Sequence, residues 1–293
     1  MSSLIERHCP ALLPWLQLMR LDKPVGAVLL LWPTLWAVWI AAAGHPSVKN
    51  VVIFSLGVFI TRAAGCVMND IADRDFDAHV KRTAGRPLAT GALSVKQALL
   101  LFGVLMLLAL VLVLFLKWET LLLALVAVGL IIAYPFAKRV TQLPQVVLGA
   151  AFSWGIPMAF METTGELPAA CWLIFTANLL WTVMYDTQYA MCDRDDDLKI
   201  GIKSTAILFG DADRLILAIL QLLALAALFL LGQGLQLGWP WLLGLAGMAA
   251  CFVWQQWLTR ARERLACLLA FRTNQLAGAL VFAGLVTAYL LGG

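Results

Sequence analysis

The chain is poor in charge: only 13% of its 293 residues are Asp, Glu, Lys or Arg, whereas 62% are hydrophobic. A soluble domain has about a quarter charged residues and roughly half apolar ones. The excess of apolar residues extends along the whole chain and gives a mean hydropathy of +0.88. This composition argues against a soluble domain and predicts a polytopic membrane protein surrounded by the lipid bilayer, with no nucleic-acid partner.

The residues that build zinc sites and disulfide frameworks are sparse. None of the six Cys residues forms a C-x-x-C pair, and the three His residues are scattered along the chain. We therefore expect neither a structural zinc site nor a disulfide framework. Most of the Cys residues lie within apolar runs, where Cys behaves as a small hydrophobic side chain.

Long apolar runs are abundant, and they delimit nine candidate membrane spans. Most approach the roughly 20 residues that a helix needs to cross a bilayer, and such uninterrupted runs favour helices over barrel strands. The sequence therefore predicts an all-α protein, a single domain over residues 1–293 with nine transmembrane helices. The predicted spans are 24–43, 48–68, 95–116, 120–136, 146–162, 169–189, 214–233, 239–258 and 275–291.

Nine spans also predict an orientation, because positive residues accumulate in cytoplasmic connections. The 21 Lys and Arg residues fall on the side of the N-terminus with three exceptions: Lys49, Lys117 and Arg62. We therefore expect a cytoplasmic N-terminus.

Acidic residues are concentrated in two long connections on that side, predicted at about 69–94 and 190–213. They read "NDIADRDFDAHVKRTAGRPLATG" and "YDTQYAMCDRDDDLKIGIKSTAILFG", the latter starting within span six. Their acidic clusters at 69–77 and 193–197 contain eight of the 17 acids. Each has a D-x-x-x-D element followed by a basic, Gly-bearing segment, which suggests a repeated unit. A solvated acidic loop explains one such segment well, but two matched ones poorly.

The spacing of these acids is typical of metal binding. Asn69, Asp73 and Asp77 recur every four residues, which on a helix places three oxygen-bearing side chains on one face. Asp193 and Asp197 have the same spacing. Oxygen ligands suit Mg²⁺, which usually accepts one or two carboxylates and keeps positions for water and phosphate oxygens. We therefore predict Asp73, Asp77, Asp193 and Asp197 as catalytic, metal-binding residues and Asn69 as a further metal ligand. The remaining four acids point elsewhere on an ideal helix and are weaker candidates, namely Asp70, Asp75, Asp195 and Asp196.

Basic residues near the acids are candidates for binding phosphate oxygens that a metal leaves free. Arg86 and Lys203 occupy similar positions after the two acidic elements and are favoured, followed by Arg139 and Lys138 at the end of span four. For most other basic residues, a role in membrane topology is sufficient explanation.

A second group of candidates lies deeper in the membrane. Arg62 is two helical turns before Asn69 on the same face, and a charge inside a span often marks a substrate path, although its side chain can also extend to the interface. Asp186 precedes Asp193 in the same way, and Tyr134 ends span four. A site that combines Mg²⁺, diphosphate and apolar spans suits a polyprenyl diphosphate.

Several motifs resemble one known family. N-D-x-x-D-x-x-x-D at 69–77 and Y-D-x-x-Y-A-x-x-D-x-x-D-D at 185–197 are similar to the two signature motifs of the UbiA-type intramembrane prenyltransferases. Segments such as "RLDKP" and "YPFAKR" extend the resemblance over nearly the whole chain.

The resemblance implies nine helices around a central cavity, with Mg²⁺ bound by Asn69, Asp73, Asp77, Asp193 and Asp197. It implies transfer of a prenyl chain from its diphosphate to the ring carbon beside the hydroxyl of 4-hydroxybenzoate, in ubiquinone synthesis at the bacterial inner membrane. No obligatory protein partner is expected. Under this reading Arg62 or Arg139 binds the acceptor carboxylate, Tyr134 and Asp186 lie near the acceptor, and Asp193 or the released diphosphate takes the ring proton.

Two other functions are considered. CDP-alcohol phosphotransferases also use acidic intramembrane motifs, but theirs begin with Asp-Gly, a pair that this chain lacks. A cation transporter would carry its acids near the middle of the membrane on broken helices, whereas these acids cluster at one side.

Overall fold

The structure, a computed structural model, describes residues 10–292, with the side chains of residues 76 and 200 left aside. Predictions for residues 1–9 lie outside the described residues. The described part is helical with no strand, so the all-α prediction is confirmed. Its first half contains seven helices: α1 (Leu13–Leu18), α2 (Val25–Ala41), α3 (Val48–Asp77), α4 (Val95–Val113), α5 (Trp118–Val140), α6 (Pro144–Ser153) and α7 (Gly155–Thr164).

Six more helices complete the described chain. Two of them, α9 and α10, are short and lie in the connection that carries the second acidic motif. The six are α8 (Ala169–Met191), α9 (Arg194–Ile200), α10 (Thr205–Phe209), α11 (Asp213–Gly234), α12 (Trp239–Leu258) and α13 (Arg264–Leu290).

The helices coincide in position with the predicted membrane spans. In the described part, seven helical stretches are long and apolar enough to cross a bilayer, and α2 is a shorter apolar helix. The sixth predicted span falls on α8, a helix of 23 residues. A multi-pass membrane protein is therefore confirmed, while the count of nine spans and the cytoplasmic N-terminus stay predictions.

The fifth predicted span consists of two helices, α6 and α7, joined at Trp154. Pro157 has no N–H to donate to the carbonyl of Ser153, so a continuous helix would lose a hydrogen bond there. The Trp154 indole donates to the carbonyl of Leu123 on α5 at 2.8 Å. The break is thereby held against the neighbouring helix.

The first acidic motif is helical. α3 runs to Asp77, beyond the predicted span end at 68, and the irregular connection therefore covers only 78–94. The helix continues into polar sequence because basic side chains from other segments pair with its acids. At the next helix start, Ser94 and Gln97 form a reciprocal capping box that fixes the beginning of α4.

The apolar core packs α2 against α8 and α13. The rings of Trp36 and Trp181 stack with centroids 5.4 Å apart, and the Trp181 indole donates to Asn274 Oδ1 at 2.8 Å. On the outer side, α12 and α13 approach so closely that a Cβ on Gly284 would meet the carbonyl oxygen of Pro240 at 2.7 Å. Small residues allow such close packing between membrane helices.

A buried chain of amide side chains connects α8, α11, α12 and α13. Asn274 donates to Gln188 at 3.1 Å, and both Gln188 and Gln221 donate to Gln255 at 3.1 Å. Interhelical amide bonds of this kind contribute roughly 0.6–2 kcal/mol each inside membrane proteins. They hold α8 in place at Gln188, directly beside Tyr189, which lines a polar cavity.

Candidate active site

A polar cavity of about 180 Å³ lies at the end of the bundle where α3 finishes and α9 begins. We call this end of the bundle the acidic end. Both Asp73 and Asp193 line it, so the two acidic motifs meet at one site. The other predicted residues on its wall are Asn69, Asp77, Asp197, Arg86, Lys138, Lys203, Arg62, Tyr134 and Asp186.

The first motif presents a continuous polar face of α3 to this cavity. Asn69 Nδ2 donates to Asp73 Oδ2 at 2.9 Å, and Lys138 Nζ from α5 donates to the same oxygen. One turn later, Arg86 Nη1 pairs with Asp77 at 2.8 Å. The four-residue spacing thus places the three side chains together, as the sequence predicts.

Asp70, a weaker candidate, is fully buried and pairs with Arg20 at 2.7 Å and with Arg86 at 3.1 Å. Breaking a buried ion pair leaves an uncompensated charge and is strongly destabilising. This pairing ties the segment before α2 to the end of α3. Asp75 behaves differently, since it is exposed and pairs only with its neighbour Arg74.

Asp193 of the second motif is held by a single arginine. Arg82 donates to both carboxylate oxygens of Asp193, from Nε at 3.0 Å and from Nη2 at 2.5 Å. It also donates to the Tyr189 hydroxyl, and its guanidinium lies 4.5 Å from the centroid of that ring. In the sequence Arg82 is only one of several basic residues near the acids, and Tyr189 is not predicted as a site residue. Nothing in the sequence relates position 82 to position 193.

Asp197 is the acid of the second motif with the most perturbed titration. Burial and the neighbouring carboxylate of Asp193 raise the pKa of Asp197 to about 7. A further positive charge in the cavity would favour the ionised form of Asp197 and so lower its pKa. Asp195 is exposed, and Asp196 is paired with Arg264 at 2.9 Å, away from the cavity.

The donor chemistry fits Mg²⁺. Asp73 Oδ1 is buried and accepts no hydrogen bond in the described structure. No three Asp, Glu, His or Cys side chains among the described residues lie close enough together to hold a metal ion unaided. Mg²⁺ usually takes only one or two carboxylates and completes its shell with water and phosphate oxygens, so each motif offers what one ion requires. In this structure, Lys138, Arg86 and Arg82 neutralise the carboxylates.

Arg62 lies deeper, at the inner wall of the cavity. Its Nη1 donates to Cys66 Sγ at 2.9 Å, its guanidinium lies 5.5 Å from the Phe152 ring centroid, and its buried Nε has no partner within the described residues. A Cβ on Gly26 would lie only 2.7 Å from that Nε. The absence of a side chain at position 26 therefore makes room for the guanidinium.

Two predicted basic residues, Arg139 and Lys203, donate to backbone carbonyls in this structure. Arg139 is not among the residues that line the polar cavity; it donates to the carbonyl of Ala72 and lies over the ring of Phe136. Lys203 lines the cavity, but its Nζ points to the carbonyl of Val140 at 3.4 Å. Arg82, Arg86 and Lys138 pair with the motif acids in this structure, and diphosphate binding by Arg139 and Lys203 stays a prediction.

An apolar tunnel of about 570 Å³ adjoins the polar cavity. Arg62, Tyr134 and Leu148 line both spaces, so they form the boundary between them. From Tyr134 the tunnel follows α5 to Leu121, which corresponds to about 20 Å at 1.5 Å per residue. The site therefore has a charged compartment for a head group and an apolar compartment for a tail.

This head-and-tail arrangement coincides with a family match that covers most of the chain. The sequence profile of the UbiA prenyltransferase family matches residues 30–278. The chain belongs to the UbiA prenyltransferase family. The resemblance of its two motifs to that family is thereby confirmed.

Two relatives are similar over almost their full length. The chain is 61% identical to 4-hydroxybenzoate octaprenyltransferase of Alcanivorax borkumensis, over 99% of this chain and 100% of that one. It is 59% identical to 4-hydroxybenzoate octaprenyltransferase of Pseudomonas syringae pv. syringae, over 97% of this chain and 96% of that one.

Solved structures of UbiA homologues share the fold. The apo structure of a homologue from Aeropyrum pernix K1 has a TM-score of 0.78 at 24% identity, covering 89% of this chain and 97% of that one. A homologue from Archaeoglobus fulgidus bound to GPP and Mg²⁺ has a TM-score of 0.68 at 18% identity, covering 93% and 99%.

Proposed function

We propose that this UbiA-family protein transfers a polyprenyl chain from polyprenyl diphosphate to the ring carbon ortho to the hydroxyl of 4-hydroxybenzoate. The reaction releases diphosphate, requires Mg²⁺ and belongs to ubiquinone biosynthesis. The observation that carries the proposal is the junction of an acid- and arginine-lined cavity with an apolar tunnel at Arg62, Tyr134 and Leu148. The choice of acceptor rests on the two relatives, which are both 4-hydroxybenzoate octaprenyltransferases.

In this proposal the head group lies in the polar cavity. Asn69, Asp73 and Asp77 of the first motif and Asp193 and Asp197 of the second would hold Mg²⁺. Bound Mg²⁺ would supply charge stabilisation for the leaving diphosphate. Arg82, Arg86 and Lys138 now pair with the carboxylates, so exchange of these pairs for phosphate contacts would place three cations beside the departing group.

The transfer itself breaks the allylic C–O bond, whose electron pair leaves with the diphosphate. The ring carbon beside the phenol oxygen bonds to the terminal carbon of the prenyl chain, and the ring then loses a proton to Asp193 or to diphosphate. The apolar tunnel excludes water from the carbon that becomes cationic. Arg62, which has no carboxylate partner in the described residues, binds the carboxylate of the acceptor, with Tyr134 and Asp186 nearby.

We further propose that the protein is located in the bacterial inner membrane with the acidic end facing the cytoplasm. Three lines support this orientation: the predicted distribution of Lys and Arg, the position of both motifs at one end of the bundle, and the water solubility of 4-hydroxybenzoate. A cation pathway is less favoured, because the acids line one closed end rather than the middle of the bundle.

The test is a prenyl-transfer assay on the purified protein with labelled 4-hydroxybenzoate, a polyprenyl diphosphate and Mg²⁺. Asp73→Asn and Asp193→Asn should each lower kcat by about 10²-fold or more, as loss of one strong electrostatic contact with the transition state does in other enzymes. Asp75→Asn is the matched control, because Asp75 is in the same motif but exposed, and it should retain full turnover. Equal losses in all three variants would contradict the site, and no organic-soluble product from the unmodified chain would contradict the function.

A further inference from the structure

A third cavity of about 390 Å³ lies beside the polar cavity, and we call it the vestibule. It is bounded by residues 19–27 before and at the start of α2, residues 85–87 after α3, and residues 268–272 near the start of α13. Its volume is in the range typical of small-molecule sites, about 300–1,000 Å³.

The vestibule and the tunnel approach the reaction site from different sides. Among the residues that the structure describes, Arg62 is the only one that lines the polar cavity, the tunnel and the vestibule together. The vestibule also shares Arg20, Arg82, Arg86, Asp186 and Tyr189 with the polar cavity, whereas it shares no other described residue with the tunnel. A molecule in the vestibule therefore reaches Arg62 without passing through the space for the prenyl tail.

The wall of the vestibule carries six basic residues and two acids, Asp22 and Asp186, so its charge is positive. Arg20, Arg82 and Arg86 line it but pair with aspartates of the two motifs. Three other cations on its wall, Lys23, Arg62 and Arg272, form no ion pair with any described residue. A concave surface with unpaired cations attracts anions and raises their rate of association.

The wall of the vestibule also contains aromatic rings. Phe59, Tyr189 and Phe271 line it, and the rings of Tyr189 and Phe271 lie with centroids 4.8 Å apart. A ligand that suits both features carries a negative charge on an aromatic ring. An isoprenoid diphosphate lacks the ring, and a lipid tail lacks the charge.

We propose that the vestibule is the binding and access route of the aromatic carboxylate acceptor, separate from the route of the prenyl tail. This inference rests on the proposed transfer to 4-hydroxybenzoate. Lys23 and Arg272 are exposed and attract the carboxylate at the outer side. Arg62, whose Nε is buried without a partner, receives it at the inner side and orients the ring.

The test compares Lys23→Ala, Arg272→Ala and the double variant in steady-state assays. The double variant should raise KM for 4-hydroxybenzoate by about tenfold, the lower range of electrostatic attraction into a charged cleft. The kcat value and KM for the prenyl diphosphate should not change. The effect should shrink in high salt, and it should vanish with the uncharged methyl ester of 4-hydroxybenzoate as acceptor.

Matched controls separate this effect from membrane insertion. Arg260→Ala removes an exposed arginine that stacks on Trp257 at 4.2 Å and does not line the vestibule, so its KM values should stay unchanged. Arg272→Lys keeps the charge and should restore the low KM for the acceptor.

Each other outcome has a defined meaning. An unchanged KM for 4-hydroxybenzoate in the double variant overturns the vestibule proposal while leaving the transferase function intact. A higher KM for the prenyl diphosphate instead assigns the vestibule to the diphosphate and also overturns it. Absence of prenylated product from the unmodified chain overturns the proposed function itself.

Discussion

At the scale of single residues, the spacing of the acids predicts which acidic side chains lie on one face. It does not predict which basic side chains pair with them. The helical period placed Asn69, Asp73 and Asp77 on one face, and all three line the polar cavity. Their basic partners come from distant segments: Arg82 and Asp193 are 111 residues apart, and Lys138 and Asp73 are 65 apart. No local rule relates positions so far apart, so the sequence does not indicate that Arg82 pairs with Asp193.

The role of Gly26 in making room for Arg62 is evident only from the three-dimensional structure. A methyl group there would meet Arg62 Nε at 2.7 Å and Nη2 at 2.8 Å. Because a guanidinium ends a flexible side chain, we expect Gly26→Ala to fold normally and to displace Arg62. Losing a hydrogen bond to a charged group costs about 1.5–3 kcal/mol, so KM for 4-hydroxybenzoate should rise about tenfold or more.

Steady-state kinetics with both substrates check this prediction. Gly129→Ala is the control, since a Cβ at position 129 meets nothing within 4 Å and Gly129 lines none of the three cavities. If Gly26→Ala left the acceptor KM unchanged, or raised both KM values equally, Arg62 would not be the acceptor-binding group.

At the scale of elements, hydropathy located the helices but not their ends. Polar sequence after position 68 ended the predicted second span, yet α3 continues to Asp77 because Arg20, Arg86 and Lys138 neutralise its acids. The break at Trp154 lay within a predicted span that already contained Gly155 and Pro157. A window of mean hydropathy cannot register either effect, since both depend on specific hydrogen bonds and ion pairs.

The opposite end of the bundle is fastened by a buried carboxylate. Glu162 of α7 accepts from the backbone N–H of Lys117 at 2.7 Å and from the Thr120 hydroxyl at 3.2 Å, and it pairs with Lys49 at 3.3 Å. These contacts join α7 to the start of α5 and to α3. Lys49 is 54% exposed, whereas the Glu162 side chain is 5% exposed.

The two partners should therefore contribute unequally to stability. Glu162→Ala leaves buried donors unsatisfied and should lower the free energy of unfolding by about 1–3 kcal/mol. Lys49→Ala removes only the exposed partner, and Glu162 keeps its hydrogen bonds from Lys117 N–H and Thr120, so the cost should be about 0–1 kcal/mol. Unfolding in detergent, followed by circular dichroism, measures both. A larger loss for Lys49→Ala than for Glu162→Ala would refute this assignment of the stabilising contacts.

At the scale of the whole molecule, the sequence indicated one site for a charged head and an apolar tail. It did not indicate that three separate spaces would meet at Arg62, because that depends on how α2, α3, α5 and α8 pack. The tunnel was expected only as a space between spans. Its walls come from residues on at least five helices, which no single segment could reveal.

The tunnel predicts a test of tail length. Gly57 lines it, and a Cβ at that position would meet nothing within 4 Å. Gly57→Leu should therefore fill tunnel volume and lower kcat/KM for an octaprenyl diphosphate by about tenfold or more, the scale of steric discrimination in apolar pockets. A geranyl diphosphate, which ends nearer the head group, should be affected less.

Competition between octaprenyl and geranyl diphosphate, with the products separated by mass, directly measures the ratio of their kcat/KM values. Gly129→Leu is the control on α5 outside the tunnel. An unchanged preference in Gly57→Leu would mean that the tail lies elsewhere.

One side of this tunnel is a single layer of helices. α4 buries only Ala98, Leu105 and Ala109, and α5 only Thr120 and Pro135, while Leu107 and Leu125 both line the tunnel and are more than half exposed. A prenylated product can thus leave laterally into the hydrocarbon of the bilayer without exposing its chain to water. Its departure becomes two-dimensional diffusion, so a turnover limited by that step would respond to the fluidity of the surrounding lipid and not to the viscosity of the aqueous phase.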